Sequence, residues 1–288
     1  MNTLLMKTVS AGAICALSLT SAGCTMNAAV GNDDHMSVGG NMTRNFDVDD
    51  DVSLMGGNMD LRGRVGGDVS VIGGNIDADL RVAGDLSLVG GNVTFRGSVG
   101  EASIAGGEID WDADSQGEVS LAGAEISVSG RIDGPLNVAG TEITIGESLS
   151  STGDTAVAGT EIEFSGVVQG EFSAAAIEMS IGGRLDGPVR LMAQPSDRHR
   201  GWRATFDENG TRAGSSNGLA EITGHLAQGG AVCARQVVIT RNARIEGPLH
   251  VWSDEEIDIR SGASVGEIVR EDRNGRDCDD ILRDFDRT

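Results

Sequence analysis

The side chains best equipped for chemistry in this 288-residue chain are its carboxylates, 44 Asp and Glu against 22 Lys and Arg. Many of them recur at fixed intervals. Asp51, Asp68, Asp85, Glu101 and Glu118 follow one another at steps of 17, 17, 16 and 17 residues. A second series begins as Asn58, Asn75 and Asn92 and continues as Glu108, Glu125, Glu142 and Glu161. Carboxylates stacked about 5 Å apart repel one another, and calcium between them would relieve that. The repeats lack the Gly-Gly-x-Gly-x-Asp nonapeptide of calcium-binding solenoids. Asp47-Val48-Asp49-Asp50-Asp51 has neither the Gly nor the distal Glu of an EF-hand loop. The ladders therefore read as a solvated acidic face that keeps the molecule soluble, with no metal and no other cofactor. His35, His199, His225 and His250 have no partner at a useful spacing and read as surface residues. Trp111, Trp202 and Trp252 are too scattered to argue a sugar platform. With no Gly-x-Ser-x-Gly, P-loop or metal-ligand pair, no catalytic residue is assigned and a non-enzyme is expected.

The remaining reactive groups are four cysteines. Lys7, the apolar run Val9 to Leu19 and Ser21-Ala22-Gly23-Cys24 resemble a lipoprotein signal peptide over residues 1–23, with Cys24 as the diacylated new N-terminus. The apolar run is too short to span a bilayer comfortably. Thr25 follows Cys24, and by resemblance to Gram-negative lipoproteins this implies the outer membrane, facing the periplasm. Cys15 leaves with the signal, so Cys233 and Cys278 remain, and in an oxidising compartment the simplest reading is a disulfide between them. Cleavage after residue 23 removes one Lys and no acid, taking the formal charge from −22 to −23. Such a surface repels nucleic acid and anionic lipid, so the membrane contact must be the lipid itself, tethered through residues 24–35.

What could position these groups is a repeat. Gly-Gly-Asn occurs at Gly39, Gly56, Gly73 and Gly90, and weaker copies begin at Gly106, Gly123, Gly140 and Gly159. Each unit holds three short apolar patches with period-two alternation, such as Val52/Leu54, Met59/Leu61 and Val65. Three strands per unit, with glycine at the corners, make a coil of about 17 residues whose inward face is buried only by stacking. Two inward columns are Val52, Val69, Leu86, Ala102, Val119, Leu136 and Met59, Ile76, Val93, Ile109, Ile126, Ile143, Ile162. A thin aliphatic prism suits a chain with 43 Gly, 3% aromatics and no Tyr, and leaves little room for rings. The expected fold is an all-β, single-stranded parallel β-helix. The solenoid is placed over 36–192 and 219–269, interrupted by a surface insertion at 193–218 with Pro195, Trp202 and Phe206. Residues 270–288 carry Ile281, Leu282 and Phe285 at helical spacing and read as a short helical cap over the C-terminal end.

Coils of this length and phrases such as Gly67-Asp68-Val69-Ser70-Val71 resemble the bactofilins, the polymer-forming cytoskeletal family. That resemblance implies a right-handed, three-faced β-helix that polymerises end to end without nucleotide, and it brings no catalytic residues. The same phrases also look like the adhesin-type β-solenoids of bacterial envelopes. Two functional expectations follow, in an exported lipoprotein form. One is an envelope scaffold that self-associates through coil ends or organises envelope or cell-wall components. The other is an adhesive rod with the insertion as contact loop. A polysaccharide-active β-helix enzyme is the third class. With the N-terminal end near Met36 open and the C-terminal end covered, the simplest self-association is a two-fold dimer, open end to open end.

Overall fold

The computed structural model describes residues 35–194, 218–285 and 287. The signal segment, Cys24 and most of the tether lie outside the described residues, as do 195–217 of the insertion, with Trp202 and Phe206. The described chain is a parallel β-solenoid of about 13 turns and one short helix, α1 (Cys278–Phe285).

Strand formation follows directly from the alternation. In Asn75–Val82 every second residue is buried and the intervening ones are exposed. The inward set Ile76, Ala78, Leu80 and Val82 meets its counterparts above and below at residue-for-residue register, Ile76 against Met59 and Val93. Strands fall into three ladders, which are the three faces of the prism. Each turn is counted from its first-face strand. These begin at His35, Val52, Val69, Leu86, Ala102, Val119, Leu136, Thr155, Phe172, Val189, Gly230, Leu249 and Ile268. The step is 17 residues in the first turns. It is 16 from Leu86 to Ala102 and 19 from Leu136 to Thr155, where Gly146-Glu147-Ser148 fill the extra length between the second and third faces.

Two kinds of corner need glycine, for different reasons. Gly97 has φ +121°, and a Cβ there would sit 2.0 Å from the carbonyl oxygen of Leu80 in the turn below. At the Gly-Gly-Asn corner the constraint is proximity alone: Gly91 donates its N–H to Gly74 O at 2.7 Å, and a Cβ would approach the same oxygen to 2.9 Å.

Both inward columns read from the sequence are present and buried. The expectation about rings is not met. Phe95, Trp111, Phe164 and Phe172 are fully buried inside the prism, with Phe95 stacked on Trp111 at 5.2 Å and Phe164 beside Phe172 at 4.6 Å. Space is made within the same turn: Trp111 shares turn 5 with inward Ala102 and Ala113. Alternating large and small residues around a coil keeps the cross-section constant.

At the insertion, the first-face strand Val189–Ala193 runs one residue further than expected. Gln194 N–H bonds Ala176 O, and Gly218 N–H bonds Ile177 O. The chain therefore leaves and re-enters the solenoid at one corner, and the ladder continues across 41 residues from Val189 to Gly230 in register. The last strand, Ile268–Asp272, extends past residue 269.

Candidate interaction surfaces

The acid ladder at the corner before the first face is held by the backbone. Asp51 Oδ1 accepts the N–H of Asp68 at 2.8 Å, and Asp68 Oδ1 accepts the N–H of Asp85 at 2.8 Å. Asp154 repeats this with Glu171 at 2.9 Å. Each of these carboxylates satisfies a corner amide of the next turn, which explains Asp at this position without any cation. Asp51, Asp68, Asp85, Glu101 and Glu118, with the serines beside them from Ser53 to Ser120, line a shallow groove of about 500 Å³ along turns 2 to 6. On the second face, Asn58 donates to Asn41 at 3.0 Å and Asn75 to Asn58 at 2.7 Å, an amide ladder that neutral side chains can form. From turn 5 the column becomes Glu108, Glu125, Glu142 and Glu161, in register and exposed. On the third face arginines find carboxylates: the Arg64 guanidinium donates to Asp47 and Asp49, and these hydrogen bonds raise its pKa. Among the described residues no group of three or more His, Cys, Asp or Glu could hold a metal ion.

The residues singled out in the sequence separate. Sγ atoms of Cys233 and Cys278 lie 2.07 Å apart, a disulfide spanning 45 positions. His225 is half-buried on the third face. His250 is not a lone surface residue: its ring lies 4.9 Å from Phe285 and 6.1 Å from Trp252. The side chain of His35 is not described, and His199 lies outside the described residues. Trp111 is in the core and Trp252 is 8% exposed, so neither offers a platform to a sugar.

The helix is present where the spacing placed it, with Asp279 and Asp280 in its first turn favouring the positive end of the helix dipole. Its location in space is the main departure. It lies across the outward side of the first face, where Ile281 and Leu282 pack with Ala231, Cys233 and Trp252. Cys278 N–H donates to Gln194 Oε1, and Arg190 donates to Leu282 O at 2.8 Å. The helix therefore clamps turns 10 to 12 from the side. Among the described residues, Ile268–Asp272 pairs with Leu249–Ser253 and no strand follows it, and Ile259 is 48% exposed. At the other end, among the described residues, His35–Val48 pairs only with Val52–Val65, and Met42, Phe46 and Val48 are partly exposed. Comparison with protein-family models, with curated proteins and with solved structures returns no match.

Cys278→Ser removes a link worth about 2–4 kcal/mol for a loop of this length. Because α1 touches only the outside of turns 10 to 12, the loss is expected to be local: Cys233, now a free thiol, labels readily in the folded protein while the circular dichroism of the solenoid is unchanged. A Cys233 thiol that stays protected until global unfolding would mean that the apolar contacts alone hold the helix.

Proposed function

We propose that the protein is a non-catalytic scaffold of the cell envelope, anchored by lipid on Cys24 and extended by end-to-end stacking of solenoids. The observation that carries the reading is the state of the two ends. Each described end presents a strand edge without a partner, backed by half-exposed apolar side chains: Met42, Phe46 and Val48 at one, Ile259, Val265 and Ile268 at the other. Such edges template further pairing. Stacking one copy on another continues the ladder and buries the terminal apolar side chains, as each internal turn does for its neighbour. With α1 at the side, the asymmetry that favoured an open-end dimer is absent, and unlike ends can meet. That contact is head to tail, and it propagates instead of closing.

The test is a charge at an end. Ile259→Arg leaves the guanidinium free to reach solvent in a single solenoid, whereas a joint would bury it without a partner. The melting temperature is expected to stay unchanged while particles two or more solenoid lengths long disappear from light scattering and negative-stain images. Equal particle lengths in parent and variant would reject the reading, and uniform single rods in the parent would favour the adhesive-rod alternative.

A further inference from the structure

Of five large hydrophobic side chains exposed among the described residues, four stand in a single outward column of the first face: Val38, Met55, Ile72 and Val89, each 45–48% exposed. The column continues in register as Ala105, Ala122, Ala139, Ala158 and Ala175. The neighbouring outward column is Ser53, Ser70, Ser87, Ser103, Ser120, Asn137, Ala156 and Ser173. In a chain of formal charge −22, no outward position of these strands from Ser53 to Ala175 carries a charge. At turns 10 to 12 the same apolar column becomes Met192, Cys233 and Trp252, and there α1 covers it. The face thus already packs an apolar surface at one end, and nine turns of it are left uncovered among the described residues.

We propose that these nine turns pack against the same face of a second copy, in an antiparallel two-fold dimer centred on Ala105. The side-chain sizes specify the register. With the dyad at turn 5, Val38 faces the second copy's Ala175, Met55 its Ala158, Ile72 its Ala139, Val89 its Ala122, and Ala105 faces itself. Every large residue meets a small one, which lets two sheets interdigitate at about 10 Å. A parallel arrangement would set Met55 against Met55 and alanine against alanine, leaving clashes at one end and voids at the other. Nine strands at about 4.8 Å, each four residues wide at about 3.3 Å, give about 600 Å² per copy, or about 1,200 Å² in all, the lower end of specific interfaces. The dyad runs along the strands, so the two acidic corner rows lie along the same edge. Turns 4 to 6 bring Asp85, Glu101 and Glu118 near their counterparts, and the dimer must tighten as salt screens them. This lateral contact is separate from end-to-end stacking and uses none of its residues.

The test is cross-linking of the full chain with a bis-maleimide spanning about 10 Å, the separation of packed sheets. Ala105→Cys is expected to give covalent dimers, more at high salt, that the parent chain does not give. Ala139→Cys is expected to match the parent, because the two copies of residue 139 lie four turns, about 19 Å, apart along the axis. A mixture of Ala139→Cys and Ile72→Cys is expected to cross-link, and adding Met55→Glu to Ala105→Cys is expected to abolish the dimer. The proposal is overturned if Ala105→Cys reacts with a mono-maleimide yet gives no dimer above the parent. It is equally overturned if Ala139→Cys dimerises as well as Ala105→Cys, or if the dimer weakens with salt. Adding Ile259→Arg to Ala105→Cys separates the two contacts: lateral dimers persist in that background even where end-to-end particles are lost.

Discussion

Val71→Asp is expected to unfold the N-terminal turns, with a loss on the order of 4 kcal/mol. Val71 is fully buried in the column Leu54, Val71, Leu88, Ile104, where no donor faces it. A carboxyl there either stays charged without a partner or takes up a proton, and both are costly in an aliphatic column. Because each turn touches only its neighbours, the damage should spread over turns 2 to 4 and leave the C-terminal turns folded. Circular dichroism should lose only part of the strand signal, and protease should cut ahead of about residue 100 while sparing the rest. Ile72→Asp is the matched control: the next residue points outward at 48% exposure, and its change should leave the circular dichroism of the solenoid intact and cost at most the lateral contact, far less than Val71→Asp. If both variants melt alike, the inward and outward assignment of the first face is wrong.

Cys24→Ser is expected to move the protein completely from the membrane fraction to the soluble one. Positions 25–34 separate the cysteine from the first described strand and can span at most about 35 Å, so the lipid would hold turn 1 close to the bilayer. Stable anchoring needs more than one acyl chain or a basic patch beside it. A chain of formal charge −22 with a single lysine, at position 7, supplies no such patch, so loss of the lipid leaves no second hold. The variant should fold as the parent does, since residue 24 precedes the solenoid. Parent and variant that fractionate alike would remove the anchor from the proposal.

The repeat was readable because everything it needs is local. The 17-residue step, the alternation and the corner glycines occur within each unit, and stacking identical units turns a local pattern into a register. Rings in the core were missed because composition averages over turns, whereas space is shared within one: Trp111 fits because Ala102 and Ala113 are small. The position of α1 depends on a long-range contact that helical spacing cannot reveal. A signal did exist in the outward column, where Ser and Ala give way to Met192, Ala231, Cys233 and Trp252 under the helix. The pairing of Cys233 with Cys278 is accessible from cysteine counting, but counting does not say where the helix it fastens lies, which is at the side of the rod.

Central to the account is a solenoid whose ends stack, and negative-stain microscopy of the purified chain addresses it most directly. Thirteen turns at about 4.8 Å make one copy about 60 Å long. Particles that lengthen by steps of that value as concentration rises, and that no longer do so in Ile259→Arg, are the expected result. Rods of a single unit length at every concentration and salt level would contradict it.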